Sequence, residues 1–129
     1  MPVDPENIRI VVVDDDKFIL NTFSDMLEQT GFHADFYPTA VEALKKILNR
    51  PKRYDLLIVD IFMPEIDGIE FAKRIRTLLP DLPIMFMTGN VTAEKKAEAL
   101  ALGRVEFLEK PFPLIDELQE MITRFVANE

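Results

Sequence analysis

Short apolar runs alternate along the chain with longer segments in which apolar residues recur every three or four positions. The apolar runs predict five strands, at residues 8–13, 33–36, 56–59, 84–87 and 105–108. The longer segments predict five amphipathic helices, at about residues 17–29, 39–48, 69–79, 92–102 and 114–126. This alternation is typical of βαβ units, in which successive strands run parallel.

The predicted fold is therefore α/β, with one doubly wound, five-stranded parallel sheet and five helices. Right-handed crossovers place helices on both faces of such a sheet. The strands are apolar along most of their length, which agrees with burial on both sides. A length of 129 residues is typical of one domain, so we expect residues 1–129 to form a single domain.

The first and last helices have apolar faces that the sequence defines in detail. The face of the first helix consists of Phe18, Ile19, Phe23, Met26 and Leu27. The face of the last helix consists of Leu114, Leu118, Met121, Ile122 and Phe125. We expect both faces to be buried against the sheet.

Composition excludes several classes of function. The net charge is −8, from 15 basic and 23 acidic residues, which argues against direct binding to nucleic acid or to an anionic membrane. The absence of cysteine excludes disulfides, thiol catalysis and cysteine-ligated zinc. No apolar run is long enough to span a membrane, and the first residues lack the basic and apolar regions of a signal peptide. The expected location is cytoplasmic.

Polar residues lie just after four of the five predicted strands. They are Asp14, Asp15 and Asp16 after the first strand, Asp60 after the third, Thr88 after the fourth and Lys110 after the fifth. Ligands of open parallel sheets bind beyond the carboxyl ends of the strands, where the strand order reverses. If the strand order is 2-1-3-4-5, the acidic residues after the first and third strands converge there.

Three converging carboxylates are costly unless a cation joins them. A ligand set of oxygens without His or Cys suits Mg²⁺, with Mn²⁺ as a second candidate, and argues against zinc or copper. Magnesium often shares its coordination sphere with phosphate oxygens. The Thr88 hydroxyl and the Lys110 ammonium group are suited to bind a phosphoryl group, and an aspartate can act as its acceptor.

Five short motifs occur in order, each near the end of a predicted strand or the start of the next helix. They are Val13-Asp14-Asp15, Leu57-Ile58-Val59-Asp60-Ile61-Phe62-Met63-Pro64, Asp67-Gly68, Met87-Thr88-Gly89 and Phe107-Leu108-Glu109-Lys110-Pro111-Phe112. Together they strongly resemble the receiver domain of two-component response regulators, over about residues 8–126. The resemblance implies a flavodoxin-like fold with strand order 2-1-3-4-5.

The resemblance also implies roles for the acidic residues. Asp60 corresponds to the phosphoacceptor. Asp14 and Asp15 correspond to the metal-binding acid pair, and together with Asp60 and the backbone carbonyl of Phe62 they would hold the ion. Because Phe62 is large and apolar, we expect its side chain to limit the access of water to an acyl phosphate and so to affect the lifetime of the phosphoryl group.

The remaining motif residues correspond to the parts of the family's switch. Thr88 corresponds to the switch hydroxyl, Phe107 to the switch aromatic residue, and Lys110 to the lysine that contacts the phosphoryl group. The resemblance implies a cis peptide bond between Lys110 and Pro111. Asp16 has no role in the family pattern, and we expect it to open the first helix.

The function implied is that of a signalling domain that is phosphorylated but turns over no external substrate. Its phosphoryl donor would be a sensor histidine kinase or a histidine phosphotransfer protein. Its effector would bind the face formed by the fourth helix, fifth strand and fifth helix. We expect a monomer, with a dimer on activation as an alternative.

A second interpretation is a Mg²⁺-dependent phosphatase with an aspartyl nucleophile. Such an enzyme needs a general acid two residues after the nucleophile, where this chain has Phe62. A third interpretation, a receiver used purely for docking, is disfavoured by the complete set of acids, Thr88 and Lys110.

Overall fold

The computed structural model describes residues 4–51, 53–110 and 112–127. Five strands are present, β1 (Arg9–Val13), β2 (His33–Tyr37), β3 (Leu56–Asp60), β4 (Ile84–Thr88) and β5 (Val105–Glu109). Five α-helices alternate with them, α1 (Lys17–Glu28), α2 (Ala40–Asn49), α3 (Gly68–Leu78), α4 (Ala93–Leu100) and α5 (Ile115–Ala127). A short 3-10 turn at Pro5–Asn7, which the sequence pattern does not predict, precedes β1.

The strands form one parallel sheet in the order β2-β1-β3-β4-β5, which confirms the predicted topology. The order reverses between β1 and β3, which are neighbours although they are not consecutive in the chain. Val13 of β1 lies opposite Val59 of β3. The residues that follow this pair, Asp14 and Asp60, therefore leave the sheet side by side at its carboxyl edge.

Two hydrophobic layers cover the sheet, one on each face. Val11, Leu57 and Phe86 point to the layer that contains α2 and α3. Their neighbours along the strands, such as Val12 and Ile58, point to the layer that contains α1 and α5. Because side chains alternate across a strand, every central strand is buried on both sides, which explains its continuous apolar sequence.

Four strands, β2 to β5, end one residue later than predicted, and two of these extensions place site residues. Asp60 and Thr88 are the last residues of β3 and β4 rather than the first residues after them. The reason is that the ladder continues past the apolar run: the N–H of Ile61 donates to Met87 (3.4 Å), and the N–H of Lys110 donates to Thr88 (2.9 Å). The side chains of Asp60 and Thr88 are consequently fixed by regular sheet backbone.

The predicted apolar faces are wrong at one position each. Phe18 and Leu114 are both 75% exposed, although the other members of both faces pack in the core. Phe18 lies in the first turn of α1 and Leu114 directly precedes α5, so both are near the carboxyl edge of the sheet, where these helices begin. Helical spacing identifies residues on one face but does not show where the opposing layer ends.

Among the described residues, no helix has the length and apolar character that a membrane span requires.

Candidate metal centre

Three carboxylates meet at the carboxyl edge of the sheet, where the strand order reverses. Asp14 and Asp15 directly follow β1, and Asp60 ends the adjacent strand β3. One carboxylate oxygen from each residue lies within 4.8 Å of the other two. Asp14 and Asp60 are buried, whereas Asp15 is exposed. The structure thus brings together the acids that the sequence places after the first and third strands.

Burial makes this cluster electrostatically unfavourable. Burial raises the pKa of Asp14 to about 7; the nearby Asp60 and Asp15 charges raise it as well, while the hydrogen bond from Asp16 and the charge of Lys110 oppose the shift. Burial also raises the pKa of Asp60. A cation bound between these carboxylates would favour their charged forms and remove this cost.

The chain orients two of the carboxylates through its own turns. The N–H of Asp16 donates to Oδ1 of Asp14 at 2.9 Å, and the N–H of Phe62 donates to Oδ1 of Asp60 at 3.1 Å. Oδ2 of Asp14 is buried and has no hydrogen-bond partner among the described residues. A buried carboxylate oxygen without a donor is unfavourable, so this atom is suited to be a metal ligand.

The separation of the carboxylates allows them to share one ion. Octahedral magnesium holds oxygen ligands at about 2.1 Å, which places adjacent ligands about 3.0 Å and opposite ligands about 4.2 Å apart. The three oxygens lie within 4.8 Å of one another, so one ion could draw them into its coordination sphere. The donor set contains only oxygens, as magnesium and manganese prefer.

Thr88 and Lys110 lie at the same edge of the sheet, on the side of β4 and β5. The Thr88 side chain is buried, and its hydroxyl has no hydrogen-bond partner among the described residues. Lys110 follows β5, and its charge opposes the upward shift that burial causes in the pKa of Asp14 and of Asp60. The predicted cis bond to Pro111 lies outside the described residues.

Phe107 lies farther back along the sheet, in the middle of β5. Its ring stacks on that of Phe86, with ring centroids 6.0 Å apart. The Lys96 ammonium lies 5.2 Å from the centroid of the Phe107 ring. Phe86 and Thr88 are two residues apart on β4 and therefore point to the same face of the sheet. Phe107 thus packs against the immediate neighbour of Thr88 on that face.

The side chain of Phe62 is 50% exposed in the loop after β3. The ammonium group of Lys95 lies 6.0 Å from its ring centroid and donates to Oδ2 of Asp67 at 2.6 Å. The first turn of α4 is therefore tied to the loop that leaves the acid cluster. The sequence pattern does not predict this contact, since Asp67 and Lys95 are 28 positions apart.

Gly68 allows α3 to begin directly against the end of β3. Its N–H donates to the carbonyl of Ile61 at 2.7 Å, and a side-chain carbon at this position would overlap the backbone carbonyl of Asp60. Asp67 caps the helix by accepting from the N–H of Ile69 at 2.7 Å. The Asp67-Gly68 motif is the sequence signal of this close approach. Asp16 caps α1 in the same way, which confirms its predicted place.

Comparison with known proteins agrees with this geometry. Residues 10–123 match the family described as the response regulator receiver domain. Response regulator receiver protein CpdR of Brucella abortus (strain 2308) is 34% identical over 119 residues, which cover 92% of this chain and 98% of that protein. Response regulator MprA of Mycobacterium sp. (strain KMS) is 33% identical over 114 residues, 88% of this chain. The match spans only about half (49%) of the length of MprA.

Solved structures show the same fold. The chemotaxis protein CheY4 of Vibrio cholerae has a TM-score of 0.82 at 31% identity, covering 92% of this chain and 98% of that one. A CheY-like receiver domain protein of Methanospirillum hungatei JF-1 has a TM-score of 0.84 at 30% identity, covering 92% and 93%. With its five-stranded flavodoxin-like sheet and a family match over most of its length, this chain belongs to the response regulator receiver domain family.

Proposed function

We propose that this chain is a phosphorylation-controlled signalling domain whose phosphoacceptor is Asp60 and whose cofactor is Mg²⁺. The observation that carries the proposal is the convergence of Asp14, Asp15 and Asp60 at the carboxyl edge of the sheet. Receiver domains of response regulators generally bind Mg²⁺ at an acidic pocket and interact with histidine kinases and downstream effectors. The proposal takes residues 1–129 as one such domain, located in the cytoplasm.

The chemistry is a phosphoryl transfer to a carboxylate. A carboxylate oxygen of Asp60 attacks the phosphorus atom of a phosphohistidine. The new O–P bond forms as the P–N bond breaks, and the electron pair of that bond returns to the imidazole. Asp60 must be ionised to act as the nucleophile. Burial raises the pKa of its carboxyl, and the hydrogen bond from the N–H of Phe62 and the charge of Lys110 oppose that rise. Bound magnesium would neutralise charge on the phosphoryl oxygens.

Four side chains and one backbone carbonyl would hold the phosphoryl group and the ion in place. Asp14 and Asp15 would ligate magnesium together with Asp60 and the backbone carbonyl of Phe62. Lys110 would pair with a phosphoryl oxygen. No step needs an acid at position 62, which supports a signalling domain over the alternative Mg²⁺-dependent phosphatase.

The response to phosphorylation would begin at Thr88. Its buried hydroxyl has no partner among the described residues, so a hydrogen bond to a phosphoryl oxygen would replace an unfavourable state. Movement of Thr88 frees space beside Phe86, into which the ring of Phe107 would turn. The altered face would be that of α4, β5 and α5, and a downstream effector would bind there.

The partners follow from the same chemistry. The donor would be a sensor histidine kinase or a histidine phosphotransfer protein, because a phosphohistidine is a reactive donor to a carboxylate. The chain would act as a monomer, with a dimer on activation as the alternative. Direct contact with nucleic acid or membrane is not part of the proposal, in keeping with the net charge of −8.

Intact-mass measurement after incubation with acetyl phosphate and magnesium tests the assignment of Asp60. The wild type should gain the mass of one phosphoryl group, and Asp60→Asn should gain none. Asp25→Asn, a change at an exposed position of α1, is the matched control and should be phosphorylated like the wild type. Phosphorylation that persists in Asp60→Asn on another carboxylate would show that Asp60 is not the acceptor.

A further inference from the structure

The basic residues of this acidic chain are concentrated in one short segment. Residues 45–53 contain five basic and no acidic residues, namely Lys45, Lys46, Arg50, Lys52 and Arg53. The rest of the chain then holds 10 basic against 23 acidic residues. The segment is therefore a positive region on a strongly negative protein.

This segment comprises the second half of α2 and the loop that leads to β3. Lys45, Lys46, Arg50 and Arg53 are all exposed. Within the described ranges, the first three of these form no ion pair, and Arg53 makes one of 3.6 Å with Asp35. Most of the positive charge is thus available to a partner.

Two exposed apolar side chains lie on the same helix as Lys45 and Lys46, which also carries the exposed acid Glu42. Val41 and Leu48 are 51% and 50% exposed, whereas Ala43 and Ile47 of the same helix are buried. Val41, Lys45 and Leu48 follow the spacing i, i+4, i+7 and so form one stripe on the outer side of α2. The helix therefore has a second, partly apolar face that the core does not cover.

The positive region continues into a cleft at the amino edge of the sheet. Arg9, Arg50, Pro51 and Arg53 line a cleft of about 750 Å³. Arg9 comes from the start of β1, and its backbone N–H donates to Asp55 at 2.9 Å. Because α2 starts at the carboxyl edge and ends at the amino edge, this cleft lies at the opposite end of the sheet from Asp60.

We propose that the α2 basic surface, defined by Val41, Lys45, Lys46, Leu48, Arg50 and Arg53, docks an acidic segment of another protein that carries apolar side chains at helical spacing. Carboxylates would pair with the free cations, and apolar side chains would cover Val41 and Leu48. This surface is separate from the face of α4, β5 and α5, and its binding does not depend on phosphorylation.

Other occupants fit the surface less well. An anionic bilayer or a nucleic acid would be repelled by the acidic remainder of the chain, and neither phosphate groups nor bases need the exposed Val41 and Leu48. A second copy of this chain would have to offer a different, acidic face, so the contact would be head-to-tail and would form a ring or an open filament rather than a symmetric dimer. An acidic segment of another protein that also carries apolar side chains matches both the positive charge of the surface and its exposed Val41 and Leu48.

The test uses a synthetic helical peptide with Leu at i, i+4 and i+7 and Glu at the flanking positions, titrated into ¹⁵N-labelled protein. Amide shifts should map to residues 41–50 and 53. The double variant Lys45→Glu/Arg50→Glu should weaken binding about tenfold or more, and Leu48→Ser should weaken it as well. Arg74→Glu reverses one charge at an exposed position of α3, where the double variant reverses two, and should leave affinity within about twofold.

A scrambled peptide of the same composition separates the proposal from simple charge attraction. It should bind clearly more weakly than the ordered peptide. Equal binding of both peptides, or shifts outside α2 and its following loop, would overturn the proposal. So would preferential binding to vesicles of anionic lipid, or concentration-dependent self-association that Lys45→Glu/Arg50→Glu abolishes in sedimentation experiments.

Discussion

At the scale of single residues, Thr88 has a buried hydroxyl without a hydrogen-bond partner among the described residues. Thr88→Val removes that hydroxyl and keeps the branched shape. Because no bond is lost, we expect the free energy of unfolding to stay within about 1 kcal/mol of the wild type or to rise. Phosphorylation of Asp60 should persist, whereas amide NMR shifts on the face of α4, β5 and α5 should become smaller. A full NMR response in Thr88→Val would exclude the hydroxyl as the origin of the switch.

Phe62 is the other residue near the acceptor for which a single change is informative. Its half-exposed ring lies in the loop directly after Asp60. Phe62→Asn replaces an apolar ring by a small polar group, so water should reach the acyl phosphate more easily and the phosphorylated protein should decay faster. Leu78→Asn, at a similarly exposed position of α3, is the control. An unchanged decay rate in Phe62→Asn, measured by intact mass over time, would contradict shielding by the ring.

At the scale of elements, the ion pair between Asp67 and Lys95 connects the start of α3 to the first turn of α4. Burial raises the pKa of Asp67, but the hydrogen bonds from Lys95 and from the N–H of Ile69 outweigh it, so the net shift is downward. A carboxyl with a lowered folded pKa stabilises the fold above its unfolded pKa of about 3.9. That contribution is lost as the pH falls through the folded value.

The resulting prediction concerns Asp67→Asn. Asparagine keeps the helix cap, so mainly the charge is lost. At pH 7 the variant should be less stable by up to about 1 kcal/mol, since the pair is partly exposed. The difference should begin to shrink below about pH 4, where the unfolded carboxyl becomes protonated, and should be lost as the pH falls through the lower pKa of the folded carboxyl. Urea unfolding at both pH values checks this, and a difference that stays constant or grows in acid would contradict it.

The elements also show what the sequence can and cannot predict. Hydrophobic periodicity is sufficient to predict the five strands, the five helices and the parallel sheet, because burial of an element on one or two faces determines the positions of its apolar residues. Hydrophobic periodicity places Phe18 on the buried face of α1, because it does not show where the layer that packs against this helix ends. Periodicity also does not predict the contact between Lys95 and Asp67, because the spacing of residues within a helix does not identify the distant loop that its polar face contacts.

The sequence likewise predicts some features of the candidate site and not others. The positions of Asp14, Asp60, Thr88 and Lys110 at strand ends are readable in the sequence, and a parallel sheet brings strand ends together. The sequence alone does not reveal that Oδ2 of Asp14 and the Thr88 hydroxyl lack partners among the described residues. Such a property depends on the packing of several elements at once.

At the scale of the whole molecule, the sheet holds three acids together although their charges repel. The fold therefore stores an unfavourable interaction that a divalent cation should relieve. A ligand that binds only the folded state at ten times its Kd adds about 1.4 kcal/mol of stability. For a domain of this size, that corresponds to a rise of roughly 3–5 °C in Tm.

Removing one acid should stabilise the metal-free protein and reduce the stabilisation that magnesium provides. Asp60→Asn relieves the repulsion without metal, so its Tm in chelator should exceed that of the wild type. Its gain from magnesium should be smaller, because one ligand is lost. Calcium is larger and prefers more ligands, so it should protect the wild type less than magnesium does at equal concentration.

The most direct test of the metal centre is a set of thermal melts of wild type and Asp60→Asn, each in chelator and in magnesium at constant ionic strength. Holding ionic strength fixed separates specific binding from general screening. We predict that magnesium raises the Tm of the wild type by several degrees and that of Asp60→Asn by clearly less. If magnesium leaves the wild-type Tm unchanged, or raises both proteins equally, Asp14, Asp15 and Asp60 do not form a metal site.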